Sequence, residues 1–148
     1  MSLFDQVSQD LKAAMLAKEK DKLEALRAIK TAFLNAKSEK GAGELTPDKE
    51  LQIIQKLVKQ RKESAEIYKE QNRNDLYQKE MDEAKVIEVY LPKQLGEQEL
   101  SNVLKEIIAR VGASSPADMG KVMGVASKEL SGRAEGKTIA AKVRELLS

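Results

Sequence analysis

Apolar residues recur along this chain at alternating intervals of three and four, the spacing that places them on one face of an α-helix. Nowhere does the two-residue alternation of a strand persist over a useful length. Leu3, Val7, Leu11 and Ala14 define a first helix, with Ser2 as its N-cap. A break near Lys18-Glu19-Lys20-Asp21 leads to a second, striped by Leu23, Leu26, Ile29, Phe33 and Ala36 and ended by Gly41-Ala42-Gly43. Thr46-Pro47, a capping hydroxyl followed by proline at the first helical position, opens a third helix that runs to about Asn72. Its seam is Leu51, Ile54, Val58, Arg61, Ala65 and Tyr68, heptad-like and interrupted by one charge. The fourth helix, about Asn74 to Tyr90, carries Leu76, Glu80, Ala84, Ile87 and Leu91, with Glu83 beside them. A charge on a packed seam needs a partner. An antiparallel hairpin turning near Asn72 is therefore expected to set Glu83 or Glu80 against Arg61.

Pro92 stops the fourth helix, and Pro92-Lys93-Gln94-Leu95-Gly96 marks a domain boundary. Three shorter helices follow. The first, Glu97 to Arg110, is expected to bury Leu100, Leu104, Ile107 and Val111 and to end at Gly112. Ser115-Pro116-Ala117-Asp118 starts the next, which points Met119, Met123, Ala126 and Leu130 inward. After Ser131-Gly132-Arg133-Ala134, a last helix carries Ile139, Val143 and Leu146. The pattern predicts an all-α protein: a four-helix hairpin or bundle domain over residues 1–92 and a small three-helix domain over 93–148.

Composition narrows the chemistry. With five aromatics and no Trp, the core must be aliphatic. The absence of Cys removes thiolate chemistry and Cys-held metals, and the absence of His removes the commonest general base and metal ligand. No metal site and no cofactor is expected. Ser127-Lys128 and Ser131 lie close in sequence, but nothing around them resembles a Ser–Lys nucleophile site. Glu80, Asp82 and Glu83 read as solvated or ion-paired helix faces, and the basic run Lys56 to Lys62 as surface around Arg61. No apolar run approaches a membrane span, and Met1 to Asp5 lacks the pattern of a secretory signal, so the cytoplasm or an equivalent internal compartment is expected. Net charge is +2: residues 1–92 balance 17 basic against 17 acidic side chains, whereas 93–148 hold 9 against 7. Charge alone permits nucleic-acid binding without indicating it.

The glycines of the last 30 residues carry more information. Gly120 and Gly124 lie four apart inside a helix, where each costs about 1 kcal/mol relative to alanine. Two readings stand: close packing against another helix of a small domain, or close approach of a partner's backbone such as a phosphate–sugar strand. Gly132 and Gly136 flank Arg133 near the start of the final helix, whose free amides favour an anion, and Arg133 and Lys137 add charge there. Lys121 and Lys128, seven apart, share a face of the preceding helix.

Asp118-Met119-Gly120-Lys121-Val122-Met123-Gly124, followed by Gly132-Arg133-Ala134-Glu135-Gly136-Lys137 and a short amphipathic helix, resembles the GatB/YqeY motif, the tail module of the B subunit of tRNA-dependent amidotransferases. Upstream, Lys59-Gln60-Arg61-Lys62-Glu63-Ser64 and Val89-Tyr90-Leu91-Pro92 resemble the free-standing YqeY-like proteins, so the resemblance covers the whole chain. One departure is Glu135, where the family usually has Asp, a better helix cap. The resemblance implies a non-catalytic protein that holds tRNA or another structured RNA, with Lys121, Lys128, Arg133 and Lys137 on its phosphates. The catalytic domain of the B subunit, with its ATP and metal sites, has no counterpart in this sequence. Two alternatives are an adaptor docking on an amidotransferase or translation factor, and a carbon–nitrogen ligase using glutamine, the latter by family association alone.

Overall fold

A computed structural model describes residues 2–39 and 43–148 of the chain. Among the described residues the structure is all-α, with seven α-helices, one 3-10 turn and no strand. The predicted helix stop at Gly41-Ala42 lies outside the described residues; Gly43 has a φ of +67°. The chain divides into two compact units, Met1–Leu91 and Pro92–Ser148.

The first unit holds α1 (Leu3–Ala17), α2 (Lys20–Ser38), α3 (Pro47–Glu70) and α4 (Asn74–Glu88). Local chemistry explains most of these bounds. Ser2 Oγ accepts the Asp5 amide at 3.1 Å, and Thr46 Oγ1 accepts that of Lys49 at 3.2 Å with Pro47 in the first turn. Lys18 ends α1 in the left-handed conformation, and Asn72 adopts the same conformation between α3 and α4. α4 stops at Glu88, two residues before the expected Tyr90. There the Tyr90 and Leu91 amides turn to the Ile87 and Glu88 carbonyls, because the residue before a proline is driven out of the α region.

α3 and α4 make the broadest packing in this unit, and α2 lies against both α1 and α4. Between them Val7, Leu26, Ile29, Phe33, Ile54 and Ile87 are buried, with the Phe4 ring tilted against Phe33 at 6.3 Å. The seam charge finds its partner: Arg61 Nε donates to Glu83 Oε2 at 3.1 Å, and Glu83, not Glu80, is the residue engaged. One buried charge escaped the sequence reading. Glu50, 2% exposed, accepts the Phe4 amide at 2.8 Å, so a carboxylate in the first turn of α3 caps the start of α1.

The second unit holds α5 (Glu97–Val111), α6 (Met119–Glu129) and α7 (Gly136–Leu147), with the 3-10 turn Pro116–Asp118 leading into α6. Gly112 ends α5 with a φ of +71°, a conformation that suits glycine. The core is Leu100, Leu104 and Ile107 from α5, Val122 and Ala126 from α6, Leu130 after it, and Ile139, Val143 and Leu147 from α7. Two sequence assignments shift by one or more positions. Val122, Ala126 and Leu130 take the inner line, and Met119 and Met123 pack on its flank only half-buried. On α7, Leu147 replaces Leu146 as the third buried residue, because Ile139, Val143 and Leu147 fall at i, i+4 and i+8.

Candidate nucleic-acid interface

The site expected from sequence centres on α6, whose first turn is fixed by Asp118. Asp118 Oδ2 accepts the amides of Ser114 at 2.9 Å and Ser115 at 3.3 Å, fixing the turn from which α6 rises. Those backbone hydrogen bonds, Ser114 first, hold the Asp118 carboxyl below its ordinary pKa. At the other end Arg110 pairs with Glu129 and with Glu106, the latter at 3.0 Å, tying the last turns of α5 and α6 together.

With Val122, Ala126 and Leu130 turned inward, the opposite face of α6 presents Gly120, Gly124 and Ser127, all exposed. A methyl group placed on Gly120 or Gly124 would meet no atom within 4 Å beyond its own helix. This corrects the reading in which the two glycines let helices touch, since α5 and α7 pack on the other side of α6. What remains is a smooth strip of backbone open to the outside. Lys121 and Lys128 are exposed along one border of it, about 10.5 Å apart at 1.5 Å rise per residue. Neither makes an ion pair within 4 Å among the described residues.

The second glycine pair divides. Gly132 is buried and has a φ of +77°, a left-handed conformation costly for a residue with a side chain. Its carbonyl accepts Gln94 Nε2 at 2.6 Å, and the Leu95 amide donates to the Arg133 carbonyl at 3.0 Å. Gly132 therefore makes a turn on which residues 93–95 are clamped, and its expected role in ligand approach is corrected to a conformational one. Gln94 was legible only as part of a boundary; the clamp shows that this segment is structural. Arg133 is half-buried, and its Nε leans on the Lys93 carbonyl at 3.4 Å. Gly136 is exposed at the first position of α7, a methyl there would meet nothing within 4 Å, and Glu135 provides no side-chain cap. Thr138 and Lys142 continue α7 along a shallow groove that Arg133 also lines. Lys137, beside Gly136, is exposed.

Among the described residues no group of three or more acidic side chains converges as a metal site would require. Among the described residues no helix is long and apolar enough to cross a membrane. The arrangement offers an open helix backbone, two bordering ammonium groups and a cationic turn. It can contact an anionic polymer through charge and shape, but has no aromatic surface on which a base could stack.

Comparison with known proteins then fixes the kinship. A family model described as Yqey-like protein matches residues 4–147, which takes in both units. The chain belongs to the YqeY-like family. Among curated relatives, a protein of Pyrenophora tritici-repentis named Altered inheritance of mitochondria protein 41, mitochondrial, is 30% identical over 98% of this chain and 81% of its own length. The protein of that name from Kluyveromyces lactis is 27% identical over 93% of this chain and 72% of its own. That from Eremothecium gossypii reaches 35%, over 57% of this chain and 46% of its own. The YqeY-like kinship thus spans the α6 strip and the α3–α4 hairpin alike.

Proposed function

We propose that this YqeY-like protein is a non-catalytic RNA-binding protein whose second unit lays the α6 strip against the phosphate–sugar backbone of tRNA or another structured RNA. The observation that carries the reading is the open Gly120/Gly124 face bordered by Lys121 and Lys128. Glycines within a helix cost stability, and among the described residues no atom beyond α6 lies within 4 Å of where their missing side chains would start, so a benefit is sought outside the chain. The family's kinship with an amidotransferase tail module makes tRNA the first ligand to try. A chain without His or Cys favours holding RNA for an amidotransferase over performing the amidation itself. The relatives named as mitochondrial widen the expected location from the cytoplasm to any internal compartment that holds tRNA, the mitochondrial interior included.

With a net charge of only +2, binding is weak and governed by salt. In fluorescence anisotropy with labelled tRNA, the slope of log affinity against log salt becomes shallower by about 2 when Lys121 and Lys128 are both changed to Ala. An affinity at low salt no higher than that of an equally charged control protein would refute the reading. Supplied with glutamine, ATP and mischarged tRNA, the purified protein is expected to release no amidated product; measurable turnover would replace this reading with that of a ligase.

A further inference from the structure

The first unit carries a groove that RNA binding by the second leaves unused. It measures about 500 Å³ and is lined by the C-terminal half of α1, the start of α2 and the end of α4. Ala13, Ala14 and Ala17 form one wall, Val86 and Val89 the other, with Leu26 between them. α1 packs on α2 and α4 packs on α2 and α3, but the two walls scarcely touch each other. Across the groove the Tyr90 hydroxyl donates to Asp10 Oδ2.

The α4 rim leaves an aliphatic side chain open. Val89, which lines the groove at the end of α4, is 77% exposed. Walls of alanine and valine allow another helix to approach closely. The charges indicate which surface fits. Asp10 stands on the α1 wall and Lys85 on the α4 wall. Tyr90 occupies one oxygen of Asp10, and Lys85 makes no ion pair within 4 Å among the described residues. Glu19 and Lys22, at the mouth, neutralise each other at 2.8 Å.

A two-fold interface sets a patch against itself, so any charges it carries must meet their opposites when the patch is reversed. This groove has that property, with one unpaired cation on one wall and one half-engaged carboxylate on the other. We propose that the α1/α4 groove is the interface of a two-fold homodimer. Val89 of each copy is covered by the other, and Lys85 of one copy faces Asp10 of the other.

Sedimentation equilibrium of the full chain, from low micromolar to several hundred micromolar, tests this. The apparent mass is expected to climb from 16.4 kDa toward twice that value. Val89→Arg, at the exposed C-cap of α4, is expected to leave a monomer throughout, with unchanged circular dichroism and melting temperature. Lys85→Glu, which turns two attractions into repulsions, weakens association roughly tenfold. Ile67→Arg, at an exposed apolar residue of α3 away from the groove, dimerises as the wild type does. A mass that stays at 16.4 kDa at every concentration overturns the proposal and leaves the groove to a foreign helix or an amphipathic small molecule. A dimer that survives both Val89→Arg and Lys85→Glu overturns it equally, by placing the interface elsewhere.

Discussion

Replacing Gly120 and Gly124 together by alanine is expected to stabilise the second unit by roughly 1 kcal/mol, most of it from Gly124 in the interior of α6, because Gly120 stands in the helix's first turn. Neither glycine has a positive φ, and neither has an atom within 4 Å for the new methyl group to strike, so nothing opposes the gain. The same substitution is expected to weaken tRNA binding roughly tenfold or more, because two methyl groups then hold an incoming backbone off the strip and off Lys121 and Lys128. Denaturant unfolding and anisotropy on one preparation read both quantities. Their opposite movement distinguishes an outward-facing strip from a packing device, for which added methyls would clash and lower the melting temperature. A destabilised variant, or a stabilised one whose RNA affinity is unchanged, would count against the account.

The second large effect belongs to the first unit. Arg61→Ala is expected to lower stability by about 2 kcal/mol, between the value of an exposed ion pair and that of a buried one, as side-chain exposures of 21% for Arg61 and 14% for Glu83 require. The loss goes beyond one hydrogen bond. Burial pushes the Glu83 carboxyl above its ordinary pKa despite the attraction of Arg61, and the neighbouring Glu24 and Glu80 push the same way. Removing Arg61 takes away the counter-charge that favours ionised Glu83. The sign with pH follows: the folded state holds this proton more tightly than the unfolded chain does. This group's contribution is therefore complete below the unfolded carboxylate pKa and is lost as pH rises through the raised folded value. Arg61→Ala widens that window, so its deficit is expected to be larger at neutral than at mildly acidic pH. Glu83→Gln removes the repulsion as well as the attraction and is expected to cost less. Urea midpoints at the two pH values check this. An equal deficit at both, or one no larger than that of a surface substitution, would refute it.

Features set by local chemistry are legible in the sequence itself. Ser2, Thr46-Pro47 and Gly112 bound helices because caps and left-handed stops act over three or four residues. Arg61 announced its partner because a charge on a heptad seam is an anomaly of periodicity. Glu50 gave a fainter signal: it lies four before Ile54 and so on the buried face of α3. That it caps α1, 46 residues away, depends on the packing of two helices and not on any local pattern. The inner line of α6 was misread for a related reason. Met119, Met123 and Val122 all lie within one broad apolar stripe, and the orientation chosen by α5 and α7 decides which is central.

The candidate site was legible in its residue types and not in its geometry. Sequence alone grouped Gly120, Gly124, Gly132 and Gly136, yet they play different parts. Two form an open strip, one begins a helix, and Gly132 is held in a buried turn by Gln94, 38 residues upstream. Glycine marks backbone freedom equally well in all these settings, and only the neighbours reveal which is at work. Basic residues divided in the same way. Lys121, Lys128 and Lys137 stand exposed, while Arg133 leans on the backbone of the segment clamped to its own turn.

The most direct test of the RNA-binding account is an amide chemical-shift map of the labelled full chain during titration with unmodified tRNA at low salt. The account predicts shifts concentrated from Gly120 to Lys128, extending to Arg133 and Lys137, and fading as salt is added. Shifts confined to residues of the first unit, or none at a tRNA concentration that saturates the anisotropy signal, would contradict it.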